Sequence, residues 1–392
     1  MNYRKMAGEE LSILGFGAMR LPNDNGKVDE NAAVSLIRKG VDMGINYIDT
    51  AYVYHNGESE TIVGKALSGS YARGARIATK LPLWLCNETG DFDKYLGEQL
   101  KRLGRDHIDF YLVHALGGEA WKKAQKLEIV KKMEKARADG RIGHIGFSFH
   151  DRFESFVEII DAYNWEFCQI QFNYMDENFQ AGGKGLQYAH EKGVGVIVME
   201  PLRGGSLAIN LPQSVYKELN SGFAGRTAAD WALSFVWDRP ETAVALSGMN
   251  TLAQLEENAG IASRPLTRSG GFFTEAEHRA VEKAREEFLK LIKVPCTNCG
   301  YCLPCKAGVD IPLNFTLYNS TFMYANTNSA RLSYNMFMPP HKRASACVNC
   351  GECLGKCPQK IEIAARLKQT HQTLYMPSNA DNSTVKKREL QK

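Results

Sequence analysis

The sequence predicts an α/β protein: a closed barrel of eight parallel strands and eight helices, then a smaller, mainly α-helical domain that carries most of the cysteines. Three observations lead there. Through the first 260 or so residues, short β-branched or aromatic runs alternate with longer amphipathic segments, each pair filling about thirty residues, the length of a strand–helix unit. The strand interiors are nearly continuous apolar runs, as parallel strands covered by helices require. Finally, eight of the ten cysteines fall between Cys296 and Cys357.

Strands are expected at Leu14–Ala18, Ile45–Thr50, Arg76–Lys80, Ile108–His114, His144–Ser148, Phe167–Tyr174, Val194–Met199 and Ala243–Gly248. Between the first two, Asp29 caps a helix whose Ala33, Leu36, Ile37, Gly40 and Val41 recur at three- and four-residue steps, and Gly44 stops it. From Glu119 to Ala138 one helix is expected, with Leu127, Val130 and Met133 on its buried stripe and lysines on its solvated face. Eight such pairs make a (β/α)8 TIM barrel. The alternative is a doubly wound open sheet, which wants a G-x-G-x-x-G turn after its first strand. Here Gly15-Phe16-Gly17-Ala18-Met19-Arg20 lacks the third glycine and runs into Leu21-Pro22. The barrel is expected over 1–265. Proline and paired glycines between Ser263 and Gly271 mark its end, and a charged helix from Thr274 to Lys293 leads into a second domain over 272–375. Residues 376–392 read as a polar, disordered tail.

Composition narrows the function. At 392 residues, 44% hydrophobic and 23% charged, the chain suits one large and one small globular domain. The net charge of +4, much of it assigned to the tail, is too small and dispersed to argue for nucleic acid. No apolar run reaches the length of a membrane span, and Met1-Asn2-Tyr3-Arg4-Lys5 does not open a signal peptide. A cytoplasmic location is expected, where thiols stay reduced.

The cysteines are Cys296, Cys299, Cys302 and Cys305, then Cys347, Cys350, Cys353 and Cys357 followed by Pro358. A C-x-x-C-x-x-C run lets three thiolates converge on one four-iron, four-sulfur cube, with the fourth supplied by the other run. That spacing is ferredoxin-like and implies two 4Fe-4S clusters: one on Cys296, Cys299, Cys302 and Cys357, the other on Cys347, Cys350, Cys353 and Cys305. Zinc is the weaker reading, because structural zinc separates its C-x-x-C pairs by a dozen residues or more. Disulfides are weaker still. The first run closes with two intervening residues where the second has three, so Cys305 departs most from the pattern. Cys86 and Cys168 read as ordinary thiols.

Side chains at the C-terminal ends of barrel strands point into the mouth where active sites form. Asp49, Lys80 and His114 end the second, third and fourth strands, and Tyr54 follows in a loop. Singly each has a bland role; together they form a proton donor. An ammonium at Lys80 favours the phenolate of Tyr54 and is expected to lower its pKa, Asp49 holds the lysine charged, and His114 orients a substrate oxygen.

The motifs Gly44-Ile45-Asn46-Tyr47-Ile48-Asp49-Thr50-Ala51 with Tyr54, Ala78-Thr79-Lys80, and Ile108-Asp109-Phe110-Tyr111-Leu112-Val113-His114 resemble the aldo-keto reductases. More narrowly, Ile145-Gly146-Phe147-Ser148-Phe149-His150, Gln169-Ile170-Gln171-Phe172-Asn173-Tyr174 and Met199-Glu200-Pro201-Leu202-Arg203-Gly204-Gly205 resemble the bacterial and archaeal branch with a C-terminal ferredoxin-like domain. The resemblance implies Asp49, Tyr54, Lys80 and His114 as the catalytic set and NADP or NAD across the barrel mouth. Ser148 and Gln169 would hold the nicotinamide, Leu202, Arg203, Gly204 and Gly205 the pyrophosphate, and Glu257 and Asn258 the adenine end. The chain departs from the family at Phe149, where asparagine is common, and at Met199, where an aromatic ring is usual. Gly248 and Gln254 stand where many members place cations on the ribose 2′-phosphate. Glu200 reads as the salt-bridge partner of Arg203 or another arginine, while Trp84, Met19, Arg20 and His150 wall the substrate pocket.

The function that follows is an iron–sulfur oxidoreductase that moves hydride between the nicotinamide and a small carbonyl or alcohol substrate, its clusters exchanging electrons with a ferredoxin or flavoprotein partner. Two alternatives stand: a ferredoxin-linked reductase without nicotinamide, and a redox-sensing barrel without turnover.

Overall fold

A computed structural model describes residues 1–24, 27–221, 225–267, 271–296, 300–324 and 327–376. Eight parallel strands close into a barrel: β1 Leu14–Gly17, β2 Tyr47–Asp49, β3 Arg76–Leu81, β4 Ile108–Leu116, β5 Ile142–Phe149, β6 Phe167–Gln171, β7 Gly195–Met199 and β8 Thr242–Ser247. Pairing runs in chain order, and β8 returns to β1 through Ala245 opposite Leu14. No open edge remains, which excludes the doubly wound sheet. All eight expected strands are present, shifted by a few residues at their ends.

The barrel interior is filled by Tyr47, Ala78, Phe110, Leu112, Phe167, Ile197 and Val244. An N-terminal hairpin, Tyr3–Met6 paired with Glu9–Ser12, adds Met6 and Leu11 to that cluster. Met6 lies so close to Gly195 that a Cβ there would meet its Cγ at 2.2 Å, so only glycine admits this plug. The first expected helix is Glu30–Asp42: Asp29 accepts from the Ala32 N–H, and Gly44 leaves it with φ +96°.

One expectation fails. The single helix from Glu119 to Ala138 is two, Gly118–Lys126 and Ile129–Ala138, broken where Glu128 turns left-handed at φ +52°. Leu127 and Met133 are buried as expected, but between them Ile129 is buried in place of the expected Val130, which is only half-buried, so the stripe shifts by one residue at the break.

The chain divides into two compact units: Met1–Ala208 with Gly225–Arg279, and Ile209–Ala224 with Ala280–Lys392. The second takes the helix Gln213–Asn220 from the segment after β7, and the helix Glu275–Lys290 crosses the boundary. Its core gathers Val294, Val309, Phe315, Tyr334, Leu367 and Leu374 around the helices Ile311–Met323 and Ile363–Leu374. Two buried asparagines of Ile311–Met323 fix the chain just before each cysteine run. Asn319 accepts from the N–H groups of Lys293 and Val294 and donates to the Val294 carbonyl. Asn314 donates to the Lys342 carbonyl and accepts from the Ala344 N–H. From residue 377 onward the expected tail lies outside the described residues, as does Cys299. Among the described residues no helix is long and apolar enough to cross a membrane.

Candidate active site and cluster cradles

Asp49, Tyr54, Lys80 and His114 meet at the C-terminal mouth of the barrel. The Lys80 ammonium donates to both Asp49 carboxylate oxygens at 2.7 Å and to the Thr50 carbonyl at 2.8 Å, and both charged side chains are buried. It stands 5.1 Å from the centre of the Tyr54 ring, whose edge faces the His114 imidazole at 6.2 Å. Trp84 covers that imidazole from the β3 loop at 5.0 Å. Tyr54 is set by an unusual turn: His55 and Asn56 are left-handed before Gly57, and His55 Nε2 accepts the Leu21 N–H at 3.2 Å.

A buried polar network stands behind the lysine. Glu60, fully buried, accepts from Thr79 and Gln99 at 2.7 Å and from Arg102 at 3.2 Å, while Gln99 also donates to the Lys80 carbonyl. His114 is aimed by a bulge. The register of β4 against β5 shifts between Val113 and Leu116, Ala115 turns left-handed at φ +54°, and its N–H is taken by Ser148 Oγ at 2.8 Å.

The electrostatics correct one expectation. Burial raises the Tyr54 pKa above its ordinary value and outweighs the opposing pull of Lys80, so the phenol stays protonated at neutral pH. Burial also works against the Lys80 charge, but Asp49 and then Tyr54 more than offset it and hold the ammonium above the usual lysine range. His114 falls well below its ordinary value through burial, then Lys80 and His150, and is a neutral imidazole. Its buried Nδ1 has no partner among the described residues.

Beside this set, Ser148 and Gln169 pair directly across β5 and β6. Both are buried, and Gln169 Oε1 finds no partner among the described residues, while its Nε2 reaches only the Met199 sulfur at 3.6 Å. An orphaned buried carbonyl fits a ligand that brings its own N–H, as the nicotinamide carboxamide does. Leu202 leads into Arg203, Gly204 and Gly205, which are left-handed in succession and turn the chain tightly after β7. Arg203 is held by buried Asp176 at 3.0 Å, which also accepts from Gln171 and Asn173. Glu200 lies 3.8 Å from Arg20. Sequence reading placed Arg20 only as a wall, yet its side chain lies over Gly248, where a Cβ would meet it at 3.1 Å, and reaches to 3.2 Å from a Cβ built on Gly204. A cation from the first loop thus stands where Gly248 supplies none. Phe149 is no mouth residue; it is fully buried against Phe156 at 5.1 Å. Asn258 spends its amide on Ser247 Oγ at 3.1 Å, and Glu257 is half-buried on the same helix.

In the second unit, two cavities gather the cysteines. Cys296, Cys302 and Cys357 line one, and Cys302, Cys305, Cys347, Cys350 and Cys353 line the other, so Cys302 is shared between them. Each draws a cysteine from the opposite run. Burial, with Cys347, Cys305 and Cys350 crowding in, raises the Cys353 pKa. Among the described residues no three His, Cys, Asp or Glu side chains converge as a single ion would need. Each cavity brings thiols of both runs together, the donor set a four-iron cube takes. Cys86 and Cys168 are buried elsewhere, both pushed up by burial, Cys86 to about 11.

Residues 13–270 match the aldo/keto reductase family, and residues 295–362 match a 4Fe-4S dicluster domain. An uncharacterized oxidoreductase of Schizosaccharomyces pombe is 28% identical over 303 residues, 72% of this chain and 92% of its own length. The L-galactose dehydrogenase of Arabidopsis thaliana is 27% identical, over 64% of this chain and 84% of its own. Among solved structures, the holo form of an aldo-keto reductase from Bacillus halodurans superimposes with a TM-score of 0.60 at 24% identity, covering 72% of this chain and 96% of that one. At that identity the likeness speaks for the fold.

Proposed function

Because this chain belongs to the aldo/keto reductase family and is an oxidoreductase with a 4Fe-4S dicluster domain, we propose that it moves hydride between NADP or NAD and the carbonyl or alcohol of a small molecule. Tyr54 is the general acid and, in reverse, the base. The observation that carries this is the buried Lys80 ammonium, clamped by Asp49 and set beside a phenol that burial keeps protonated.

When bound, the nicotinamide gives or takes the hydride at the carbonyl carbon. As the carbonyl oxygen gains charge, Tyr54 releases its proton to it, and Lys80 stabilises the phenolate left behind. Asp49 keeps Lys80 charged without becoming the acid. The neutral His114 has one N–H to offer the same oxygen and fixes its direction. Ser148 and Gln169 would hold the carboxamide, Leu202, Arg203, Gly204 and Gly205 the pyrophosphate with Arg20 supplying charge, and Glu257 and Asn258 the adenine end. In the second unit Cys296, Cys299, Cys302 and Cys357 would hold one cluster and Cys305, Cys347, Cys350 and Cys353 the other. Such clusters would supply one-electron chemistry suited to exchange with an outside ferredoxin or flavoprotein. Such thiols belong in a reducing compartment, the cytoplasm.

The test is anaerobic purification with iron and sulfide determination, titration with NADPH and NADH, and Tyr54→Phe. Turnover should fall by roughly a hundredfold or more with nucleotide affinity kept. Undiminished turnover removes Tyr54 from the chemistry. Failure to bind either nucleotide, with ferredoxin-driven reduction intact, replaces the hydride reading with direct electron delivery.

A further inference from the structure

The two cysteine cradles are not equivalent, and we infer that the one formed by Cys305, Cys347, Cys350 and Cys353 is the docking port for a small acidic protein that carries one electron. The inference rests on the reading that both cradles hold clusters that exchange electrons with an outside protein. The cradle of Cys296, Cys302 and Cys357 is lined by Ile311, Pro312, Phe315, Ile361 and Ile363 and, among the described residues, by no charged side chain. The other is lined by Lys306, Lys356 and Glu352. Cys350 is exposed, the only one of the described cradle cysteines that is, and Val348 beside it is 68% exposed.

Two clusters of like charge would each call for compensating cations, yet the lysines gather at one. Their placement therefore answers to something beyond the cluster. The surrounding sequence points the same way. Residues 300–376 hold eight Lys and Arg against three Asp and Glu, so the chain's positive excess lies here more than in the tail. Lys306 leans on Glu352 at 3.4 Å, with its side chain 71% exposed, and Lys356 is exposed as well. An apolar residue at the centre with cations at the rim is the anatomy of a protein interface. Electron carriers make small, short-lived contacts, for which a patch of this size suffices. Like-signed charge on the rim raises the encounter rate with an acidic partner and makes it depend on salt. The exposed Cys350 marks where a carrier comes nearest the cluster.

The experiment uses the anaerobic holoprotein, with an acidic two-cluster ferredoxin and an acidic flavodoxin as probes, and measures binding at low and high ionic strength. Either carrier should bind at low salt and weaken as salt rises. The double variant Lys306→Glu/Lys356→Glu should weaken binding about tenfold or more and flatten the salt dependence, and the uncharged Val348→Ser should weaken it without changing the salt slope. Iron content and the cluster electron paramagnetic resonance spectrum should stay as in the wild type, which separates a lost dock from a lost cluster. Failure of both carriers to bind at low salt, or equal affinity for the double variant, overturns the port. Absence of iron from the wild type overturns the reading on which it rests.

Discussion

Replacing Asp49 by leucine isolates the electrostatic centre of the barrel. Lys80 is 1% exposed, and two of its three acceptors are the Asp49 oxygens. Asp49→Leu leaves an ammonium buried against the Thr50 carbonyl and the neutral Tyr54 phenol, with no anion beside it. Breaking a buried pair from one side costs about 3–5 kcal/mol. A ceiling exists, because the lysine escapes by releasing its proton: from an ordinary pKa near 10.4 to pH 7, at about 1.36 kcal/mol per unit, that costs about 4.6 kcal/mol. The double variant Asp49→Leu/Lys80→Met removes both charges and should recover most of the loss. At about 2–4 °C per kcal/mol for a domain of this size, the single variant should melt roughly 6–20 °C below the wild type by scanning fluorimetry. The sign with pH is also fixed. In the wild type the Lys80 pKa is raised, so its stabilisation holds at neutral pH and fades only as pH climbs through that raised value. In Asp49→Leu the folded pKa falls below the unfolded one, so stability rises as pH approaches 10. The gap between the two proteins should therefore be narrower at pH 9.5 than at pH 7. A double variant as unstable as the single, or a gap that does not narrow, refutes the argument.

Ser148→Ala leaves the Ala115 N–H buried and unpaired, a loss of about 1–3 kcal/mol; the His114 imidazole resonances should shift in the variant even without nucleotide. Because the His114 pKa is depressed, the imidazole should stay neutral through the ordinary histidine range, and the stability it contributes declines only as pH drops below about 6.5 toward its folded value. A pH–rate profile with a histidine limb at pH 6.5 that vanishes in His114→Gln contradicts this. Asn319→Ala should deplete the cluster beside Cys296, and Asn314→Ala the one beside Cys347; each should halve the integrated paramagnetic signal of the reduced protein.

The barrel was legible because its signals are local. Each strand is a short apolar run of its own, and Asp29 and Gly44 mark helix ends within the chain that needs them. The break at Glu128 was hidden because Leu127 and Met133, on either side of it, are both buried, as a single continuous helix would have them. Asp49, Lys80 and His114 could be placed together since strand ends share one rim of any such barrel. The sign of the Tyr54 shift could not, since it depends on how completely Trp84, His114 and their neighbours exclude water. The neighbours of Arg20 were hidden for a related reason: Glu200, Gly204 and Gly248 arrive from two other loops, far apart in sequence. The expectation that the two cysteine runs share their ligands came from spacing alone, and each cavity does bring together cysteines of both runs, Cys302 lining the two of them.

The asparagine pins on Ile311–Met323 bear on what happens when oxygen strips the inorganic cores. In small zinc modules the metal is the fold, and removing it collapses the chain. Here protein hydrogen bonds, not iron, station the stretches ahead of Cys296 and Cys347. A molecule that has lost a core should therefore keep these bonds, and rebuilding the core would then be a matter of refilling a standing frame. With both pins on one helix, a shift that loosens one frame is transmitted to its neighbour.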